Sequence, residues 1–318
     1  MRGNITGIHH VTAIASGAQQ NVEFYAGLLG LRLVKRTVNF DAPDVHHLYY
    51  GDETGSPGSI MTFFPFEDLQ RGRKGKGQLT VTSFSIGEGS LDHWMKRFDR
   101  FGVKYKHPQE RFGNEAFVHF EDPDGLGLEL VEAPDHDRSG NTYGPVAAEH
   151  SIKGFFGVTL SEESYERTAG LLTEHMDHQV IREGSDRFRF SASGRPGDHV
   201  DIINCPEQLR GLGGSGTVHH LAFATPTDED QMAIRERLIS AGLNVTHVLD
   251  RQYFRSIYFR EPGGILFEVA TIPPGFSIDE RIDRLGSELK LPPWVEPQRK
   301  SIEDKLTRII IDLDRFRD

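Results

Sequence analysis

The sequence predicts an α+β fold of four βαβββ modules forming two open, barrel-like domains, followed by a C-terminal tail. Three observations predict it. The chain repeats itself: Glu121-Asp122-Pro123-Asp124-Gly125-Leu126-Gly127-Leu128-Glu129-Leu130 resembles Arg260-Glu261-Pro262-Gly263-Gly264-Ile265-Leu266-Phe267-Glu268-Val269. A helix-like run ending at Gly102 matches one ending at Gly242, and a weaker pair joins residues 23–30 to 166–173. Each unit also reads as a short apolar strand, an amphipathic helix, then strands joined by Gly/Pro turns. Finally, such a unit covers one sheet face with its own helix and must set the other against a second unit or around a cavity.

The four modules span about residues 5–66, 77–134, 150–206 and 216–273. They group along the chain into an N-terminal domain, 1–140, and a C-terminal domain, 141–273. The tail, 274–318, has no repeat partner and should pack over the modules or an opening between them. Within it, residues 301–316 show helical periodicity. The linker around Arg71-Gly72-Arg73-Lys74-Gly75-Lys76 reads as a solvated basic loop.

Composition narrows the function. With 37% hydrophobic and 26% charged residues the chain is a globular, soluble class. The net charge of −11 argues against nucleic acid and anionic membrane as partners. The single cysteine, Cys205, excludes an internal disulfide and suits a reducing cytoplasm, and it reads as a small core residue. No apolar run is long enough to span a bilayer. The residues leave the oligomeric state open, a homo-oligomer included.

Two His-His pairs open apolar runs: Ile8-His9-His10-Val11-Thr12 in module one and Val218-His219-His220-Leu221-Ala222-Phe223-Ala224 in module four. Side chains alternate along a strand. His219, Leu221 and Phe223 then share the helix-facing side, and His220, Ala222 and Ala224 the roomier one. By the same parity His10 and Thr12 lie opposite His9 and Val11. Glu268 is a lone carboxylate in an apolar strand, which needs a cation or donors if buried; an arginine salt bridge or an exposed edge would serve as well. Two imidazoles and one carboxylate on one face leave coordination positions free, as non-haem iron(II) requires, while zinc or manganese fits the same donors.

The repeat assigns the donors. Aligning residues 57–63 on 262–268 sets Phe63 opposite Glu268, so module one offers His10 without a carboxylate. Module three has Ile202 at the carboxylate position. Module two has Glu129 but Leu79-Thr80 where the histidines would be. Modules one and four should therefore share one barrel around the metal, and modules two and three another. Glu129, His150 or His199 are the residues from which a second metal site would have to be built.

These features together resemble the vicinal oxygen chelate superfamily, and within it the ring-cleaving dioxygenases that act on hydroquinones. The resemblance covers nearly the whole chain. It rests on Gly7-Ile8-His9-His10-Val11-Thr12, Val34-Lys35-Arg36-Thr37-Val38-Asn39-Phe40, His47-Leu48-Tyr49-Tyr50-Gly51-Asp52, Val218-His219-His220-Leu221-Ala222-Phe223 and Pro262-Gly263-Gly264-Ile265-Leu266-Phe267-Glu268. It implies an extradiol-type enzyme with iron(II) on His10, His220 and Glu268, cleaving a small aromatic diol with O₂. It also implies roles close to the site for His9, Thr12, His219, Arg251 and Tyr258. Parity places His9 and His219 behind the ligands rather than on the metal, and Arg255 competes with Arg251. The competing enzyme class is a glyoxalase-type isomerase or thiol transferase with nickel or zinc. A metal-free binding module on the same fold is the other alternative.

Overall fold

The computed structural model describes residues 3–134 and 137–318. Four βαβββ units follow one another, as the repeat predicts. The first holds β1 (Gly7–Ala15), α1 (Ala18–Val22), β2 (Arg32–Asn39), β3 (Ala42–Gly51) and β4 (Ile60–Pro65). The second holds β5 (Gln78–Ile86), α2 (Leu91–Phe101), β6 (Gln109–Arg111), β7 (Glu115–Glu121) and β8 (Gly127–Glu132). The third holds β9 (Phe155–Glu162), α3 (Glu166–Gly170), β10 (Gln179–Glu183), β11 (Arg187–Ser191) and β12 (His199–Asn204). The fourth holds β13 (Thr217–Thr225), α4 (Asp228–Ser240), β14 (Leu249–Asp250), β15 (Arg255–Arg260) and β16 (Leu266–Thr271).

Local chemistry sets the helix ends. Thr227 caps α4 by accepting from the Asp230 amide, and three acidic residues follow in its first turn, where the helix dipole favours them. Gly102 ends α2 in the left-handed region at φ +70°. Both α1 and α3 widen into π-helical turns, over Glu23–Leu28 and Leu171–His175, so the weaker repeat pair is real in three dimensions.

The sheets exchange partners across the chain. One runs β14-β15-β16-β13-β1-β4-β3-β2 and the other β10-β11-β12-β9-β5-β8-β7-β6. Units one and four thus join through antiparallel β1 and β13, and units two and three through β5 and β9. The linkers that carry the chain between sheets are themselves paired. Gly72 N donates to Ser215 O (2.9 Å), and Arg73 and Leu212 exchange backbone hydrogen bonds at 3.0 and 2.9 Å. The basic segment is therefore a backbone ladder with exposed side chains, where the sequence suggests a solvated loop. Its backbone polarity is satisfied by the second linker.

In the sheet of units two and three, Asp201, not Ile202, takes the inward position. Ile202 packs in the hydrophobic core, and Asp201 receives Arg189 Nε and Nη2 at 2.6 and 2.9 Å and Arg187 Nη1 at 2.8 Å. Glu129 accepts from Arg111 Nη1 and Ser83 Oγ at 2.8 and 2.7 Å. Guanidinium groups, Arg111 over Phe117 and Arg189 over Phe156 among them, thus neutralise this interior. His199 lies beside Asp198, and His150 stacks on His93 elsewhere, so Glu129, His150 and His199 do not converge.

The tail lies across units one, two and four. Leu291, Val295 and Ile302 pack on Val38, and Leu289 bridges to Arg36 in β2. Lys35, fully buried, reaches the tail carboxylates of Asp279 and Glu280 at 2.6 and 2.5 Å. The helix expected over 301–316 is reduced to α5 (Arg299–Glu303) and one 3₁₀ turn at Asp314–Phe316. Its backbone is satisfied differently: Gln19 accepts from the Ile310 amide and donates to the Ile310 carbonyl. Among the described residues no helix is long and apolar enough to cross a membrane.

Candidate metal centre

The concave face of the first sheet encloses a cavity of about 310 Å³ lined by His10, His219, His220, Arg251 and Tyr258 among others. His10 comes from β1, His220 from its neighbour β13, and Glu268 from β16, which lies parallel to β13. Their donor atoms fall within 4.8 Å of one another, the only such three-residue group among the described residues. The Nε2 atoms of His10 and His220 are 3.1 Å apart, and Glu268 Oε2 lies 3.4 and 3.0 Å from them. Glu268 is fully buried, yet its Oε2 accepts no hydrogen bond. Burial would raise its pKa, and only positive charge beside it, on protonated His10 and His220 or on a cation between them, holds it well below the usual carboxylate range.

The paired histidines explain the orientation. His9 Nδ1 lies 2.9 Å from His10 Nδ1, and His219 Nδ1 lies 2.7 Å from His220 Nδ1. The Thr271 backbone beside His9 favours a proton on that ring. When His9 Nδ1 accepts from His10 Nδ1–H, His10 Nε2 is left bare beside Glu268 Oε2. That is the tautomer a metal ligand needs. With His220 Nδ1–H likewise donating to His219, two imidazole nitrogens and an unpartnered buried carboxylate oxygen fit a divalent cation with positions to spare.

Strand parity alone misplaces the first histidine of each pair. The β1–β13 register slips between Ile8 and His10 and again between Thr12 and Ala13, where β13 advances from His220 to Val218. Each slip is a β-bulge centred on His9 or His219, and a bulge re-aims the residue it contains. His219 consequently sits exposed at the cavity mouth, its ring 5.8 Å from Phe64, rather than under the helix with Leu221 and Phe223. His9 is sealed behind His10 and Phe254 and faces a separate pocket with Tyr253 and Pro273.

The remaining predicted residues divide. Arg251 Nε donates to Tyr258 Oη at 3.2 Å, and Arg251 Nη1 pairs with Asp41 at 3.3 Å over the cavity. Arg255 points outward to Asp228. Thr12 is buried below the cavity and shares a hydrogen bond with Thr62 (2.9 Å).

The strand register also corrects the repeat alignment. Thr62 lies opposite Thr12 and Tyr49, as Glu268 lies opposite Ala222 and Tyr258. Thr62, not Phe63, is therefore the counterpart of Glu268, and Phe63 packs on Tyr25 on the other face. The same register makes Tyr49 the counterpart of Tyr258, and His47 that of Ser256. Ser256 Oγ donates to Glu268, and His47 Nε2 contacts Thr62 Oγ1 at 2.8 Å. His47, Tyr49 and the rings of Phe40, Phe64, Phe66 and Phe254 complete the lining. Sequence reasoning missed His47 and Tyr49, although His47-Leu48-Tyr49-Tyr50 aligns with Ser256-Ile257-Tyr258-Phe259 once the register is known.

Comparison with known proteins follows this geometry. The family model described as the Glyoxalase/Bleomycin resistance protein/Dioxygenase superfamily matches residues 7–130 and 153–269. The chain is 47% identical over 300 residues to the protein named "Putative ring-cleaving dioxygenase MhqO" of Bacillus subtilis, covering 94% of this chain and 95% of that one. It is 33% identical over 319 residues to chlorohydroquinone/hydroquinone 1,2-dioxygenase of Sphingobium indicum, covering 97% of each. A Bacillus subtilis crystal structure named as a "putative dioxygenase" superposes with a TM-score of 0.93 at 45% identity, covering 98% of this chain and 99% of that one. Glyoxalase I from Zea mays, 13% identical with a TM-score of 0.64 over 84% of this chain and 92% of its own, shares the fold.

Proposed function

Because the chain belongs to the Glyoxalase/Bleomycin resistance protein/Dioxygenase superfamily, we propose that it is an extradiol-type ring-cleaving dioxygenase for hydroquinone- or catechol-type diols. In this reading O₂ is the co-substrate and iron(II) is held by His10, His220 and Glu268, with manganese or zinc able to occupy the same donors. The observation that carries the reading is the buried, unpartnered Glu268 Oε2 between two imidazole nitrogens. The names of the relatives support the reaction class.

Bound iron would supply the redox chemistry and hold diol and O₂ together. The chain's own residues do the rest. The phenylalanines give the ring an apolar berth and keep water out. Arg251 N–H donates to Tyr258 Oη, which leaves the Tyr258 proton available to a diol oxygen bearing negative charge. His219 stands on the cavity wall where it meets the diol, whereas His9 is too deeply sealed to reach it. Thr12 acts from below, by fixing Thr62.

The test is anaerobic reconstitution with iron(II), then oxygen uptake with hydroquinone, catechol and a methylglyoxal–thiol adduct. Uptake with a diol supports the reading. Isomerisation of the thiol adduct without uptake would replace it with a glyoxalase-type function, against which Thr62 at the second carboxylate position speaks.

A further inference from the structure

The two halves of the cavity offer unlike tyrosines. On the β15 side Tyr258 Oη accepts from the Arg251 guanidinium, which can only donate. On the β3 side Tyr49 Oη lies 2.9 Å from His47 Nδ1, His47 Nε2 lies 2.8 Å from Thr62 Oγ1, and Thr62 Oγ1 lies 2.9 Å from Thr12 Oγ1. A neutral imidazole has one N–H and one lone pair to divide between Tyr49 and Thr62. A phenol is a stronger acid than an aliphatic alcohol and a weaker acceptor, and the imidazole lone pair is the best acceptor present. The favoured arrangement is therefore Tyr49 O–H to Nδ1, and Nε2–H to Thr62. Tyr49 is then left with oxygen lone pairs and no proton to give.

Its position is fixed. The Tyr49 ring is wedged edge-on against Phe276 (5.1 Å) and Tyr253 (6.2 Å), and 1% of its surface is exposed. Tyr49 and Tyr258 line one cavity from opposite halves of the same sheet.

We propose that Tyr49, held by His47, is the hydrogen-bond acceptor for the second, un-ionised hydroxyl of the diol. Tyr258 donates to the first oxygen and Tyr49 accepts from the second. His47 is a positioning residue that accepts the Tyr49 O–H hydrogen bond and aims its oxygen. The subsite selects a free hydroxyl over an ether oxygen or a hydrogen at that ring position, because neither can donate. The inference rests on the diol reading above and adds the residue that reads the second oxygen.

The experiment is equilibrium binding, without oxygen, of hydroquinone, phenol and 4-methoxyphenol to the iron(II)-loaded protein. Wild type should bind hydroquinone at least about tenfold more tightly than either monophenol, the effect of one paired buried hydroxyl. Tyr49→Phe should bring hydroquinone down to the level of the monophenols and leave those unchanged. His47→Leu should do the same, while His47→Asn, which keeps an acceptor near Nδ1, should restore part of the preference. Metal content should stay at the wild-type value throughout. Equal binding of the three ligands by wild type, a measurement that needs no variant, overturns the proposal, as does a preference that survives Tyr49→Phe. If wild type with a full metal complement binds none of them, the diol reading itself fails and takes this proposal with it.

Discussion

Thr62 occupies, in the first unit, the register position that Glu268 holds in the fourth. Each is fully buried, each lies opposite a tyrosine, and each is hydrogen-bonded by the residue two before that tyrosine. The pseudo-symmetric sheet thus has two equivalent positions and a carboxylate at one of them. A hydroxyl in place of the second leaves the centre with three protein donors.

Thr62→Glu should fill that gap. A fourth donor should tighten divalent metal binding by at least about tenfold and suppress oxygen uptake, because coordination positions are lost. Chelator competition measures the first and an oxygen electrode the second. Unchanged affinity would mean that residue 62 does not face the cation.

His9→Ala should weaken metal binding without removing a ligand. His9 pairs with His10 through the Nδ1 contact, which favours the His10 tautomer with a bare Nε2. Outer partners of this kind are worth about 10–100-fold in affinity. Wild-type affinity in this variant would contradict the tautomer argument.

Lys35 ties the tail to β2. Lys35→Met strands the Asp279 and Glu280 carboxylates against a buried wall, and Glu280 has little access to water. Loss of one partner from a buried ion cluster costs about 3–5 kcal/mol. Urea unfolding should show that loss, and Glu280→Gln in the Lys35→Met background should recover part of it.

Glu129 gives the second sheet an acid dependence. Burial would raise its pKa, but His119, Arg111 and Ser83 hold it down at about 2, against 4.5 as its ordinary value. A depressed acid stabilises the fold above its unfolded pKa, and the stabilisation is lost as pH falls toward the folded one. The contribution, about 3 kcal/mol at neutral pH, should fade between about pH 4.5 and 2. The stability gap between wild type and Glu129→Gln should narrow over that window. A constant gap would show that the Arg111 pair does not depend on this charge.

Much of the fold was legible because repetition and strand alternation are both written in the residue order. The pairing of units one and four followed from where His10, His220 and Glu268 lie, and the sheets join those units. What alternation does not reveal is a bulge. One extra residue at His9 and at His219 reverses the face on which each would otherwise fall. The repeat was likewise misregistered by one residue, which exchanged Thr62 for Phe63 and Asp201 for Ile202; a loop of different length before each last strand hides that offset. The tail followed its own logic, because a side chain from α1's first turn, Gln19, satisfies backbone that a helix would otherwise satisfy internally.

The measurement that bears most directly on the central claim is anomalous scattering at the iron edge from crystals of protein reconstituted with iron(II). The account predicts one strong peak in bonding contact with His10 Nε2, His220 Nε2 and a Glu268 carboxylate oxygen, absent at Glu129, and lost in Glu268→Gln. A peak elsewhere, or none at these three side chains when the metal is in excess, would contradict it.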